Sequence, residues 1–294
     1  TADGYRIREE MPSDYHEYKA YLPKVLTGSL GVKYTLLDKA SHDTRFEFDL
    51  NQKDGERIQA TLAQNQQSDH EPWRIDATWV NLIRHDIPQI GEIHSRSGQA
   101  SVRLENGHTY INASADIVKL NAAPSGSYHV QANIEQNQRL HLTDFKYQGV
   151  MGELKGTGRV DFATAQKPLE WQLDVTANPV KPNAYFQTPN QTPFEQISGR
   201  MIASGRLREM GGVSIHDIKV DDSDLTALLN DGKQVHLMGQ GTSKIRLQDG
   251  KISHLKANFD GKLAQDILPQ VAYSSIGLDI EGDLNDLTIT RAVM

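Results

Sequence analysis

Apolar and polar residues alternate with a period of two along almost the whole chain. In the stretch YSSIGLDIEGDLNDLTITRAV, residues 273–293, Ile276, Leu278 and Ile280 alternate with small or charged residues. Successive side chains of a strand point to opposite faces, so each such run predicts a strand with one apolar and one polar face. A chain built in this way has to cover its apolar faces, either with protein or with another apolar material.

The same alternation recurs at 45–50, 73–79, 111–117 and 171–175, and again near 213–215, 235–237, 245–247 and 257–259. Asp-Gly or Asn-Gly pairs, which tolerate the positive φ of tight hairpins, occur at 54–55, 106–107, 231–232, 249–250 and 260–261. This spacing predicts roughly fifteen strands in an all-β fold rich in antiparallel pairs.

Two segments depart from the alternation. Residues 13–22, SDYHEYKAYL, begin with Ser and Asp and contain good helix formers, which predicts a short helix before Pro23. Residues 177–196 contain four prolines and little alternation, which predicts a long loop with room for one helical turn. The alternation resumes on both sides, so we expect residues 1–294 to form one continuous repetitive segment.

Composition and charge exclude several classes of function. No run approaches 18 consecutive apolar residues, so no segment is predicted to cross a bilayer as a helix. The net charge is −7 with scattered Lys and Arg, which argues against nucleic acid as a partner. Cysteine is absent, which excludes disulfides and thiol chemistry. The chain begins without Met and without a signal pattern, which suggests a segment of a longer protein.

No motif predicts catalysis, a metal or a cofactor. The 11 histidines form no HxH or HExxH pattern, and His141 and His216 are predicted to be surface residues of strands. The acidic run 221–224 lacks the Gly and Glu of an EF-hand loop and is predicted to be a solvated turn. The glycine-rich segments 152–161 and 239–244 are also predicted to be turns. The chain is therefore not expected to be an enzyme.

An internal repeat is visible in the connections between strands. LPKVLTGSLGVKYTL at 22–36 and LPQVAYSSIGLDIEG at 268–282 match without a gap, and IPQIGEIHSRSGQASVRL at 87–104 is a looser copy. Each copy predicts an apolar plug around a proline, followed by a glycine that starts the next strand.

This repeat and the closing GDLNDLTIT at 282–290 resemble the TamB family, the inner-membrane subunit of the bacterial translocation and assembly module, within the wider AsmA-like group. The resemblance implies a long curled sheet, open along one side, with an apolar inner surface. It also implies a periplasmic location in a protein anchored in the inner membrane, and a role in phospholipid transport and outer-membrane protein assembly. The implied partner is a TamA-like protein of the BamA family, contacted through other regions of the full-length chain.

Alternation alone favours a closed β-sandwich or barrel over an open groove, for example a binding or adhesion module of a secreted protein. A β-helix enzyme fits less well, because the repeat lengths are uneven. The resemblance favours the open groove, with phospholipid acyl chains as its ligand and no cofactor. The predicted groove-lining residues are Phe46, Phe48, Trp73, Ile75, Trp79, Val102, Leu104, Trp171, Leu173, Val175, Phe259, Ile276, Leu278 and Ile280.

Overall fold

The alternating runs form β-strands almost throughout the part of the chain that the structure, a computed structural model, describes. That part comprises residues 2–5, 26–36, 42–51, 55–65, 73–87, 91–120, 124–136, 138–164, 167–186, 194–210, 213–248, 251–265, 274–282 and 287–293. The chain divides into two compact units: unit 1 is Thr1–Gln136 with Lys146–Val150, and unit 2 is Asn137–Phe145 with Met151–Met294.

Unit 1 is built of strands that follow one another in the sequence. These are β1 (Ala2–Tyr5), β2 (Leu26–Leu36), β3 (His42–Asn51), β4 (Arg57–Asn65), β5 (Trp73–Ile87), β6 (Gly91–Glu105), β7 (His108–Leu120) and β8 (Gly126–Glu135). Strand β9 (Arg139–Gly149) has residues in both units. From β1 to β8, each strand pairs antiparallel with the next.

Unit 2 repeats this arrangement and adds one short helix. Its elements are β10 (Gly152–Asp161), β11 (Leu169–Val180), α1 (Pro182–Phe186), β12 (Phe194–Met210), β13 (Val213–Leu229), β14 (Gln234–Gln248), β15 (Lys251–Gln265), β16 (Ser274–Gly282) and β17 (Leu287–Val293). Consecutive strands from β10 to β17 again pair antiparallel. The predicted all-β, antiparallel class is confirmed.

The hairpin turns follow the predicted dipeptides only in part. Asn106 and Gly107 have φ values of 51° and 76° and join β6 to β7 as a two-residue turn, as predicted. Gly232 likewise has φ of 83° between β13 and β14. The Asp260-Gly261 pair, by contrast, lies inside β15, so that prediction was wrong.

The proline-rich connection is shorter than predicted. Strand β11 continues to Val180, α1 follows at once, and β12 begins at Phe194, so residues 177–180 and 194–196 belong to strands and not to the loop. Proline is tolerated near the end of β11 because the pairing with β12 is irregular between Ala177 and Val180. The predicted helix at 13–22 and the plugs at 22–25 and 268–271 lie outside the described residues.

The glycine-rich segments are strands, not turns, which corrects a second prediction. Gly152 to Asp161 form β10, and Gly239 and Gly241 lie within β14. The reason is packing against a neighbouring ring: a Cβ on Gly239 or on Gly261 would come within 2.7 Å of the Phe259 side chain. These glycines inside strands leave room for the large Phe259 side chain beside them.

Trp171 of β11 lies over a glycine in the same way. Its direct partner in the pairing with β12 is Gly205. A Cβ on Gly205 would overlap with the ring atoms Cε2, Cζ2 and Nε1 of Trp171, so the indole lies flat over the glycine. Similarly, a Cβ on Gly98 would overlap with the Trp79 ring.

Replacing Gly205 by valine is therefore expected to push the Trp171 ring away from the sheet. The cost should be about 1–3 kcal/mol in the free energy of unfolding, because an added side chain forces its neighbours off their preferred rotamers. Urea unfolding followed by circular dichroism measures this cost. In a Trp171→Leu background, the same Gly205→Val change should cost clearly less. Equal costs in both backgrounds would show that the ring does not depend on the glycine.

Candidate functional site

The strands of unit 1 are in a register that places apolar residues opposite apolar residues. Residues directly opposite each other in an antiparallel pair share a face, so each set of partners forms a row across the sheet. The row through Ile75, from β3 to β8, is Phe46, Leu62, Ile75, Val102, Ile111 and Ala132. The next two rows are Phe48, Ala60, Ala77, Ala100, Ala113 and Val130, then Leu50, Ile58, Trp79, Gly98, Ala115 and Tyr128. We call these rows, with Trp73 and Leu104 beside them, the unit-1 apolar face.

Unit 2 has an equivalent surface, the unit-2 apolar face, made of three adjacent rows from β10 to β16. The first row is Gly156, Val175, Met201, Ser223, Gly239, Gly261 and Ile276. The second is Gly158, Leu173, Ala203, Val220, Gly241, Phe259 and Leu278. The third is Val160, Trp171, Gly205, Ile218, Ser243, Ala257 and Ile280. Their side chains are small or apolar almost without exception.

All the residues predicted to line a groove lie on these two faces. The structure brings Phe46, Phe48, Trp73, Ile75, Trp79, Val102 and Leu104 together in unit 1, and Trp171, Leu173, Val175, Phe259, Ile276, Leu278 and Ile280 together in unit 2. Most of them are half-buried, whereas Ile75 and Leu104 are 39% and 43% exposed. Solvent therefore reaches the unit-1 apolar face at Ile75 of β5 and at Leu104 of the adjacent strand β6.

Neither face is covered by a second layer within its own unit. Within each unit, substantial contacts between the described elements join only consecutive strands, together with α1 and β12. The hydrophobic residues that the structure shows as buried are Ile117, Ala132, Tyr147, Val180, Ala203 and Ala227, mostly small side chains. A closed sandwich of this length buries many large ones.

The size of the apolar faces indicates that they have a function. With strands about 4.8 Å apart and six residues of about 3.3 Å, the five strand spacings of unit 1 give roughly 500 Å² and the six of unit 2 give roughly 600 Å². The largest apolar patch of a typical monomer is about 300–600 Å², and patches of that size are often binding sites. This chain carries two of them.

Sequence reasoning missed the groups that shape the faces. Ser95 is fully buried and accepts a hydrogen bond of 2.9 Å from Trp79 Nε1, which holds the indole in place. The in-strand glycines under Trp79, Trp171 and Phe259 keep these rings flat against the sheet. The signal was present in the alternation, because Gly239, Gly241 and Gly261 fall in the same phase as the apolar residues around them.

The opposite, polar faces are held by cross-strand ion pairs. Arg57 donates hydrogen bonds of 3.1 and 2.7 Å to Asp49, and Arg200 donates bonds of 2.8 and 2.6 Å to Asp174. These guanidinium groups hold the pKa of each carboxyl below its usual value. Their stabilisation is therefore present at neutral pH and is lost as the pH falls through the lowered pKa. Because the pairs are solvent-exposed, each contributes little to stability.

One ion pair differs from all of these, because it is buried. Arg84 Nη1 and Nη2 each donate a hydrogen bond of 2.7 Å to the carboxylate of Glu56, and both residues are only 6% exposed. Arg84 also donates to the carbonyl of Ile83 at 2.6 Å. The pair joins the connection before β4 to the end of β5.

The acidic run 221–224 lies within β13 and is not a turn, which corrects the third prediction of this kind. The pairing of β13 is irregular here with both neighbours, so the run forms a β-bulge. Ser223 is buried and donates to the carbonyl of Gly239, while Asp221 pairs with Lys219 and Ser204.

Two kinds of feature are absent from the described residues. These residues contain no group of three or more His, Asp or Glu side chains arranged to hold a metal ion. Nor do the described residues include a helix with the length and apolar character needed to cross a membrane.

A scan of the chain against models of known protein families found no match, and searches of curated proteins and of solved structures found none either. The two apolar faces are therefore the features from which a function can be inferred.

Proposed function

We propose that this chain is a non-enzymatic segment of a TamB-like protein of the AsmA-like group, located in the periplasm and anchored in the inner membrane. Its apolar faces would carry or shield the acyl chains of phospholipids between the inner and outer membranes, in support of outer-membrane protein assembly with a BamA-family partner. The observation that carries this proposal is the pair of continuous apolar faces that no second layer covers within either unit.

The mechanism follows from the chemistry of these faces. Each methylene that leaves water against an apolar surface contributes about 0.8 kcal/mol, so an acyl chain gains several kcal/mol along a row of apolar side chains. This gain is non-directional and needs no particular geometry. A chain can therefore shift along the rows.

The alternative from the sequence, a closed β-sandwich, requires a second sheet over each apolar face. Among the described strands of each unit, none lies over that face. An apolar face in unit 1 that is open to a mobile apolar ligand agrees better with the half-exposed state of Ile75 and Leu104.

Phospholipid retention tests the proposal. The purified chain is incubated with vesicles of phosphatidylethanolamine and phosphatidylglycerol, separated from them by flotation, and extracted for mass spectrometry. We expect at least one phospholipid to remain with each chain, because the faces are apolar and accessible. A well-folded protein without a lipid, carried through the same steps, sets the background. Retention at the background level would contradict the proposal.

A further inference from the structure

The buried pair Glu56–Arg84 lies at one end of the unit-1 apolar face. Trp79 of that face is bonded to Ser95, and Ser95 stands directly opposite Leu82 in β5. Two residues further along β5, Arg84 stands opposite Ile93, which in turn stands opposite Leu120. Counting alternate residues directly from Trp79 would put Arg84 on the polar face, but Asn81 has φ of 50°, which interrupts the alternation between them. The Trp79–Ser95 hydrogen bond places Ser95, and with it Leu82 and Arg84, on the side of Trp79. Arg84 therefore continues the apolar face as a cation between apolar neighbours.

The geometry of the pair is that of an oxyanion site. Two parallel N–H groups of Arg84 point at two oxygens of one carboxylate, both at 2.7 Å. Arginine binds phosphate through the same two-pronged arrangement. The Glu56 carboxylate therefore occupies a position that also fits the phosphate of a phosphodiester.

We infer that Arg84 binds the phosphate group of a phospholipid whose acyl chains lie on the unit-1 apolar face, and that Glu56 is the internal group which this phosphate displaces. This inference rests on the proposed function. In the exchange, Arg84 keeps two charge-assisted hydrogen bonds, and the Glu56 carboxylate moves from a buried position into water. No covalent bond is made or broken, and one anion replaces another beside the Arg84 cation, so the net charge of the site does not change.

The dimensions of the face fit such a ligand. One leaflet of a bilayer contributes about half of a hydrocarbon core of about 30 Å, so an acyl chain reaches about 15 Å from its headgroup. Arg84 is five positions after Trp79 along β5, so the two residues are about 17 Å apart. Acyl chains that begin at Arg84 would therefore extend over the row of Trp79, where the face is apolar from β3 to β8.

Three ligands separate the contribution of the phosphate from that of the acyl chains. They are a monomeric short-chain phosphatidylglycerol, the diacylglycerol with the same chains, and inorganic phosphate. Their affinities are measured for the wild-type chain, for Glu56→Gln, for Arg84→Gln, and for the double variant Glu56→Leu/Arg84→Met. The double variant removes both charges together, so it keeps the assay informative if a single variant folds poorly.

We expect Glu56→Gln to raise the affinity for phosphatidylglycerol at least fivefold, because the internal competitor loses its charge. Arg84→Gln and the double variant should lower that affinity at least fivefold, close to the value for diacylglycerol. No variant should change the affinity for diacylglycerol by more than twofold. Inorganic phosphate should bind at least tenfold more weakly than phosphatidylglycerol, because it lacks the acyl chains.

Equal affinities for phosphatidylglycerol in all four proteins would overturn the inference. Inorganic phosphate that binds as tightly as phosphatidylglycerol would identify free phosphate as the ligand and would overturn the headgroup assignment. Either result, with diacylglycerol still bound, leaves the proposed function intact. If the wild-type chain did not bind diacylglycerol, that result would count against the proposed function itself.

Discussion

Changing Ile75 and Leu104 together to aspartate is expected to reduce the phospholipid bound on the unit-1 apolar face at least about tenfold. A carboxylate next to an acyl chain must either lose its hydration or take up a proton, and both cost free energy. A cost of about 1.4 kcal/mol already weakens lipid binding tenfold. Both side chains are well exposed, at 39% and 43%, so their replacement removes little packing from the sheet. A photo-crosslinking residue at Ile111, two strands from Ile75 in the same row, measures the bound lipid.

The matched control places the same charges on the other face of the same two strands. Thr78 of β5 and Gln99 of β6 stand opposite each other and are exposed on the polar face. Thr78→Asp with Gln99→Asp should leave lipid capture at Ile111 within twofold of the wild-type value. An equal loss in both double variants would mean that added charge or altered folding causes the effect, and not the chemistry of the apolar face.

Truncating Glu56 to alanine is expected to cause the largest loss of stability of any single change considered for this chain. The change leaves the Arg84 guanidinium buried without its carboxylate, and such a loss typically costs about 3–5 kcal/mol. Urea unfolding followed by circular dichroism measures the free energy of unfolding. The loss should appear in the transition of unit 1, because Glu56 and Arg84 both belong to that unit.

Two variants serve as controls for this prediction. Arg57→Ala breaks an exposed pair with Asp49, whose side chains are 51% and 32% exposed, and should lower the free energy of unfolding far less than Glu56→Ala does. Glu56→Leu/Arg84→Met removes both buried charges and should unfold close to the wild-type protein, since apolar replacements of buried pairs are often neutral. If Glu56→Ala cost no more than Arg57→Ala, the pair would not be a buried ion pair in solution.

The strands and the composition of the apolar faces could be predicted from the sequence, because both depend on local alternation. The period of two alone places three residues on one face, and they share that face of β16 in the structure: Ile276, Leu278 and Ile280. The pairing of Phe259 with Leu278 or of Ile75 with Val102 depends on register, which the alternation restricts but does not determine.

The errors arose where a local rule competed with a neighbouring strand. Asp260-Gly261 has the composition of a hairpin turn, but Gly261 is needed inside β15 because the Phe259 ring lies over it and the Met238 carbonyl approaches closely. The acidic run 221–224 has the composition of a loop, but its bulge is accommodated between two paired strands. For Gly261 the Met238 carbonyl belongs to β14, and for the acidic run both paired strands lie far away in the sequence, so these contacts come from outside the local window.

The Glu56–Arg84 site could not be predicted at all. Its partners are 28 residues apart, and the sequence around each resembles that of an ordinary exposed charge. Only the register of β5 with β6 shows that Arg84 stands opposite Ile93 on the apolar side of the sheet. Buried polar groups of this kind depend on the assembled sheet and not on local composition.

The central claim is that the two apolar faces hold acyl chains, and site-specific photo-crosslinking tests it most directly. A photo-reactive residue is placed in turn at Ile75 and Leu278 on the apolar faces, and at their strand neighbours Arg74 and Asp279 on the polar faces. After irradiation in the presence of phospholipid vesicles, we predict covalent phospholipid adducts at Ile75 and Leu278 and none above background at Arg74 and Asp279. Adducts at Arg74 and Asp279 alone, or equal adducts at all four positions, would contradict the claim.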